Sequence, residues 1–105
     1  MENKPVCEID DEGNKSWRLN GMFHREDGPA IEYYHGPKIW FKYGDYHRLD
    51  GPAIIRWDGS FLWFINDNDV TDEITNWAKD NDIDLDNLTN VDKVLIKLVW
   101  ADYGK

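Results

Sequence analysis

The sequence contains one stretch of 23 residues written twice in succession, and this repeat constrains the fold more than any other feature. Residues 17–39 read WRLNGMFHREDGPAIEYYHGPKI, and residues 40–62 read WFKYGDYHRLDGPAIIRWDGSFL. Because a unit of a repeat protein buries its apolar face only against its neighbours, successive units must stack. The residues before Trp17 resemble a degraded further copy, so the array is expected to begin near residue 5.

Turn signals divide each unit into short strands. Two residues that tolerate positive φ are typical of the type I′ hairpin turn. Such pairs stand at Asn20-Gly21 and Asp58-Gly59 and, in weaker form, at His35-Gly36 and Tyr43-Gly44. The segments between the turns predict strands near 6–9, 16–19, 22–24, 29–34, 38–42, 45–47, 52–57 and 61–65. This pattern predicts a twisted antiparallel sheet of stacked β-hairpins.

Large aromatic residues recur at the same step as the repeat. The chain has 6 Trp, 5 Tyr and 4 Phe among 105 residues, and such rings bury a large area per residue. Trp17, Trp40 and Trp63 occupy equivalent positions, with Phe41 and Phe64 beside the last two. We expect these residues to form a ladder on one face of the sheet and to serve as its core.

The motif His-Arg-x-Asp-Gly-Pro-Ala occurs at 24–30 and 47–53 and predicts a sharp corner in each unit. Its glycines are expected to supply a backbone angle that other residues resist, and its prolines fix φ where a strand begins. Asp27 and Asp50 can accept backbone N–H groups or pair with the nearby Arg or His. We interpret the motif as a structural polar cluster; the alternative is a general base or a ligand-binding site.

The pattern changes after Ile65 from a β repeat to a helical period. Apolar residues at Val70, Ile74, Trp77 and Ala78 predict a helix over 71–79, with Asp69 or Thr71 as its N-cap. A second apolar stripe predicts a helix over 90–102, capped by Thr89 and Asp92: Val91, Val94, Leu95, Leu98 and Val99. A strand is the alternative there, because VLIKLVW is rich in β-branched residues. The helices should pack on the sheet or cap its open end.

The fold class is therefore α+β and mainly β, in a single domain over residues 1–105. Residues 5–66 form the repeat sheet and residues 67–105 form an acidic helical segment. Cys7 is the only cysteine and the first residues do not read as a signal peptide, so we expect a cytoplasmic protein.

The net charge of −9 is distributed unevenly along the chain. Residues 1–13 carry −4, residues 14–66 carry +1 and residues 67–105 carry −6. This distribution argues against direct binding of nucleic acid and favours a basic partner. The acids expected to contact that partner are Asp69, Asp72, Asp80, Asp82, Asp84 and Asp86. The alternative is that they serve solubility alone.

No catalytic residue, cofactor or metal is predicted, and we expect that the protein is not an enzyme. The alternating acids at 80–86 are spaced like the ligands of a calcium loop. Counting from Asp80, however, Leu85 and Val91 stand where the loop needs its glycine and its bidentate glutamate; counting from Asp82, Asn87 and Lys93 stand there. We interpret this segment as a solvated acidic linker.

The 23-residue step with its hairpin glycines resembles the MORN repeat family, in the variant that carries His-Arg-x-Asp-Gly-Pro-Ala at 24–30 and 47–53. The resemblance covers about residues 5–66. It implies stacked hairpins, a place among small accessory proteins of bacteriophages and bacteria, and a role in binding other proteins or, in some members, membranes. The acidic tail argues against a membrane, because an anionic surface would repel it.

Three functional hypotheses follow. The first is a small acidic module that binds and inhibits a basic host protein, by mimicking the charge of nucleic acid on a defence or nucleic-acid-handling protein. The second is a ligand-binding or enzymatic role for the aromatic face and the two His-Arg-x-Asp clusters. The third is a structural homo-oligomer, with a homodimer as its simplest form.

Overall fold

The structure is a computed structural model that describes residues 4–105, and it has the predicted α+β, mainly β fold. Antiparallel hairpins make up the first two thirds of the chain, and two helices follow. The strands are β1 (Val6–Ile9), β2 (Lys15–Leu19), β3 (Met22–Phe23), β4 (Ile31–Glu32), β5 (Lys38–Ile39), β6 (Phe41–Lys42), β7 (Asp45–Tyr46), β8 (Ile54–Ile55), β9 (Phe61–Leu62), β10 (Phe64–Ile65) and β11 (Asn68–Asp69). The helices are α1 (Thr71–Asp80) and α2 (Asn90–Trp100).

The main sheet runs in the order β1-β2-β4-β5-β8-β9, and β3 pairs with the far end of β2. Every pairing is antiparallel. The pairs β6-β7 and β10-β11 form separate two-stranded sheets. Each unit therefore contributes one hairpin to the main sheet and one short hairpin that follows the equivalent tryptophan. We call the short hairpins, which close with β3, β7 and β11, the lower hairpins.

The lower hairpins have the predicted tight turns. Asn20-Gly21 has φ of 53° and 83°, Tyr43-Gly44 has 50° and 84°, and Asn66-Asp67 has 50° and 67°. Left-handed backbone at both central residues is the requirement of a type I′ turn.

The turns of the main sheet are wider, and the prediction of a type I′ turn at Asp58-Gly59 was wrong. Only Gly59 is left-handed there, with φ of 85°, and only His35 in the equivalent turn, with φ of 54°. In each wider turn, the carbonyl of the first residue accepts the amide of the residue three positions later, and its amide donates to the carbonyl of the residue four positions later. Arg56 makes these two hydrogen bonds with Gly59 and Ser60.

The repeat continues one hairpin further than predicted. The predicted strands 38–42 and 61–65 are each interrupted at a tryptophan, Trp40 and Trp63. Asn68–Asp69, not predicted as a strand, closes a third lower hairpin with Phe64–Ile65. The amide of Val70 then donates to the carbonyl of Trp63, as His24 and His47 do to their own tryptophans. The β pattern is thus kept through residue 70.

Helix α1 packs as its sequence predicts. Val70, Ile74 and Ala78 are buried, and Val70 and Ile74 pack in one cluster with Trp63 and Ile65 of the last hairpin. The N-cap position is Val70 rather than Asp69 or Thr71, although the Asp69 carboxylate accepts the Thr71 amide at 3.0 Å. The core cluster lies here, at the end of the array, and consists of Trp63, Ile65, Val70, Ile74, Ile96 and Trp100.

Helix α2 is a helix with the predicted Thr89–Asp92 capping box, but the opposite side of it faces the core. Ile96 and Trp100 are buried. The predicted apolar stripe of Val91, Val94, Leu95, Leu98 and Val99 is exposed by 68%, 56%, 40%, 77% and 55% respectively. Because Trp63 and Ile74 offer only a small apolar surface at the end of the array, one narrow side of α2 is enough to cover it.

The segment between the helices covers part of the core. Ile83 is buried, and Leu85 and Leu88 pack against the core cluster. The acids between them, Asp82, Asp84 and Asp86, are exposed. The two helices and this segment therefore cap the C-terminal end of the repeat array.

Substitutions in α2 test which side of the helix is buried. We expect Ile96→Ala to lower the free energy of unfolding by about 2–5 kcal/mol, because it opens a cavity in the core. Leu98→Ala removes a side chain of the same size that is 77% exposed, and it should change the free energy of unfolding by less than about 0.5 kcal/mol. Urea unfolding followed by circular dichroism measures both, and a larger loss for Leu98→Ala would contradict this orientation.

Candidate functional site

The two His-Arg-x-Asp-Gly-Pro-Ala motifs form the same arrangement in successive units. Cζ of Arg48 lies 3.8 Å from the ring centroid of Trp40, and Cζ of Arg25 lies 3.8 Å from that of Trp17. Nε of Arg48 donates to Asp50 at 2.8 Å, and its Nη1 donates to the Pro52 carbonyl at 3.0 Å. A guanidinium over an indole ring combines cation–π attraction with the burial of both flat surfaces.

Gly28 and Gly51 are needed for space rather than for an unusual backbone angle, which corrects the prediction made from the sequence. Neither has φ in the left-handed region. A Cβ on Gly51 would stand 2.5 Å from Cζ of Arg48, and one on Gly28 would stand 2.9 Å from Cζ of Arg25. The guanidinium of each arginine therefore lies directly over the glycine and bonds to the aspartate next to it.

The histidines connect each unit to the next. Nδ1 of His24 accepts the backbone amide of Tyr43 at 2.9 Å, and Nδ1 of His47 accepts that of Asn66 at 2.9 Å. Tyr43 and Asn66 are the first residues of the following type I′ turns. The accepting Nδ1 must be unprotonated, so the ring proton of the neutral histidine lies on Nε2.

The surroundings of these groups move several pKa values downward. Burial and the positive charges of Lys42 and Lys105 lower the pKa of His47. The hydrogen bond and the charge of Arg25 lower the pKa of Asp27. Burial alone would raise the pKa of Asp50, but the hydrogen bond and the charge of Arg48 outweigh it, and the pKa is lowered.

The continuous aromatic contacts run through the lower hairpins rather than through the tryptophans. Ring centroids are 5.2 Å apart for Phe23 and Phe41, 4.6 Å for Phe41 and Tyr46, and 5.0 Å for Tyr46 and Phe64. Trp17 and Trp40 are half-buried beneath their arginines, and Trp63 alone of the three enters the core cluster. The predicted tryptophan ladder is therefore replaced by a ladder of Phe and Tyr.

A groove of about 600 Å³ runs between the two corners and the side of α2. Its charged lining has both signs: Arg25, Glu26, Asp27, Lys42, Arg48, Asp50 and Lys97. The side chains in this groove best suited to acid–base or anion chemistry are His47, Arg25 and Arg48, and each already bonds to a residue of the repeat scaffold. Among residues 4–105, no group of three or more His, Cys, Asp or Glu could hold a metal ion.

The six predicted contact acids are all exposed, but they do not form one cluster. Asp69 and Asp72 stand at the start of α1, whereas Asp80, Asp82, Asp84 and Asp86 stand at its end and in the segment that follows. Residues 72 and 80 are separated by about 12 Å of helix. Asp69 accepts from Thr71, and Asp84 accepts the Asp86 amide at 2.9 Å. These acids therefore accept hydrogen bonds within the capping segment, in addition to giving it negative charge.

Sequence reasoning missed that the apolar stripe of α2 is exposed. Its five side chains lie at i, i+3, i+4, i+7 and i+8 from Val91, and the Asp102 side chain, 93% exposed, follows at i+11. Lys97 points instead into the groove beside the repeats. The signal that could have revealed the burial was the pair Ile96 and Trp100, which has the same i, i+4 spacing as Ile74 and Ala78, the buried residues of α1.

Comparison of the chain with protein-family models, with curated proteins and with solved structures found no match. No helix among residues 4–105 is long and apolar enough to cross a membrane.

A double-mutant cycle tests the close approach of Arg48 to Gly51. Gly51→Ala should lower the free energy of unfolding by about 1–3 kcal/mol, because the new Cβ displaces the guanidinium from Trp40. In an Arg48→Met background the same substitution should cost much less, since no guanidinium remains to be displaced. An equal cost in both backgrounds, measured by urea unfolding, would show that the glycine has another role.

The lowered pKa of His47 predicts that the free energy of unfolding falls as the pH is lowered. The unfolded chain binds a proton near its ordinary pKa of about 6.5, whereas the folded chain resists protonation until a lower pH. The stabilisation is therefore complete above about pH 6.5 and is lost as the pH falls through the lowered folded pKa. His47→Asn keeps an acceptor near the position of Nδ1 but cannot titrate, so its unfolding free energy should fall less over this range. Parallel pH profiles of the two proteins would refute the assignment.

Proposed function

We propose that this chain is a small protein-binding module that acts in the cytoplasm and binds its partner through the outward face of α2 and the acidic segment before it. The partner class is a protein with an apolar groove whose rim carries Lys and Arg. The sequence-based hypothesis of a host protein that handles nucleic acid fits this class, because such proteins carry basic grooves.

The observation that carries the proposal is the exposure of the α2 stripe. Leu98 is 77% exposed and Val91 is 68% exposed, and their neighbours on the stripe are exposed by at least 40%. Contiguous apolar surface of this kind on a folded domain marks an interaction site. The spacing i, i+3, i+4, i+7 is that of a helix whose apolar face enters a partner's groove.

The charge around α2 favours a basic rim on that groove. Lys93 is half-buried and close enough to Asp50 to help lower the pKa of its carboxyl, and Lys97 lines the groove beside the repeats. The acids of the capping segment and Asp102 are instead exposed to solvent. Lys93 and Lys97 thus lie on the side of α2 toward the repeats, although Lys97 is exposed, and a partner on the apolar stripe meets apolar and acidic groups together.

The test compares three immobilised proteins in the same lysate of source cells: the wild-type chain, Leu98→Glu and Ile9→Glu. Ile9 is 63% exposed on β1, so its substitution is a matched control for adding one acid at an exposed apolar site. A protein retained by the wild type and by Ile9→Glu, but not by Leu98→Glu, is then purified and titrated against all three.

We expect Leu98→Glu to weaken binding of the purified partner by at least about tenfold and Ile9→Glu to leave it within about twofold. The affinity should also fall as salt is raised. Equal binding by Leu98→Glu would overturn the proposal. A stable dimer with α2 buried, detected by light scattering, would also overturn it, because the stripe would then be covered by a second copy.

A further inference from the structure

The three wide turns of the main sheet lie in one row at the same end. They are residues 10–14, 33–37 and 56–60, which join β1 to β2, β4 to β5 and β8 to β9. The strands alternate in direction along the order β1-β2-β4-β5-β8-β9, so each of these hairpins points the same way. We name these residues the turn row.

The spacing along the turn row follows from the sheet. Equivalent turns are two strands apart, and neighbouring strands are separated by 4.7–4.9 Å, so successive turns are about 9.6 Å apart. A polyproline II helix advances about 9.3 Å in one turn of three residues. Residues i and i+3 of such a helix therefore meet successive turns of the row.

Two of the three turns present aromatic rings to solvent. Trp57 is 79% exposed and Tyr34 is 67% exposed, and they hold the same position in successive units. A depression of about 520 Å³ lies between their turns and is lined in part by Tyr33, Trp57 and Ile55. The Tyr34 ring lies beside it, against the ring of His35, with the centroids 4.1 Å apart. Grooves lined by aromatic side chains are the surfaces that receive the rings of proline-rich segments.

Hydrogen-bond donors line the same depression. Lys38 and Arg56 lie on its sides, together with His35. A polyproline II segment has no internal hydrogen bonds and its prolines have no N–H, so it offers carbonyl acceptors to its surroundings. The depression supplies the complementary donors.

The remaining turn of the row is acidic. The Asp10 carboxylate is occupied within the turn, where it accepts the amides of Glu12 and Asn14 at 2.9 and 3.0 Å. Asp11 and Glu12 are exposed, and no cationic group of residues 4–105 lies within 4.0 Å of their carboxylates. Oδ1 of Asn14 accepts the Tyr34 amide at 2.8 Å and so fixes this turn beside the next one.

We propose that the turn row binds a proline-rich segment in the polyproline II conformation, with two prolines three residues apart and a basic residue three positions beyond the outer proline. The prolines pack on Trp57 and Tyr34, and the basic side chain pairs with Asp11 and Glu12. Single-stranded nucleic acid also stacks on exposed rings, but these acids and the net charge of −9 repel its phosphates.

Fluorescence anisotropy with labelled synthetic peptides tests the proposal on the full chain. The probes have the pattern R-x-x-P-x-x-P and its reverse, with alanine at x. We expect one direction to bind, and Trp57→Ala and Tyr34→Ala each to weaken it by at least about tenfold. Asp11→Asn combined with Glu12→Gln should weaken binding and reduce its salt dependence. Both aromatic side chains are exposed, so we expect the variants to fold, and circular dichroism checks this.

Matched probes decide the outcome. A peptide with the same composition but prolines two residues apart should bind at least about tenfold more weakly, because its rings fall out of step with the turns. Equal binding of that peptide, binding that survives Trp57→Ala, or no binding by either direction would overturn the proposal. Binding of a thymidine oligonucleotide in place of the peptides would overturn it as well. Leu98→Glu serves as a control that leaves this surface unchanged, so the result is independent of the function proposed for α2.

Discussion

The guanidinium of Arg48 stacked on Trp40, with its copy on Trp17 formed by Arg25, is the contact on which the repeat array depends. It covers one side of an aromatic ring that would otherwise face solvent, and it accounts for the aspartate, the glycine and the proline that follow it. The histidine beside it links the unit to the next one, because its Nδ1 accepts the amide of the first central residue of the next tight turn. Two short hairpins, each too small to be stable alone, thereby become one stacked unit.

The array ends where that contact can no longer form. Val70 and Thr71 take the places of the histidine and the arginine, so Trp63 has no guanidinium above it. Helices α1 and α2 cover it instead, and the apolar core of the molecule gathers at this end. Only Ile96 and Trp100 of α2 are needed for the cover, which leaves the broader apolar side of the helix outside. The replacement of the histidine and the arginine in the last unit therefore ends the repeat scaffold and also leaves the apolar side of α2 available for recognition.

The hairpin architecture, both helices and the Thr89–Asp92 cap could be predicted from the sequence, because turn residues, apolar period and capping residues act locally. The buried side of α2 could not, because the period of Val91 to Val99 is stronger than that of Ile96 and Trp100, and only the size of the available core decides between them. The role of Gly51 was also hidden, since an approach by Arg48 depends on where its guanidinium is held. The predicted contact acids are exposed as expected, but α1 separates them into two groups.

The tautomer of His47 tests most directly whether each unit is joined to the next through an unprotonated Nδ1. Nitrogen-15 NMR of the imidazole ring at neutral pH distinguishes the two tautomers by the chemical shifts of Nδ1 and Nε2. We expect both His24 and His47 to carry their proton on Nε2, with Nδ1 accepting the amides of Tyr43 and Asn66. A proton on Nδ1 of either ring would contradict it, because that nitrogen could then accept no hydrogen bond from the neighbouring unit.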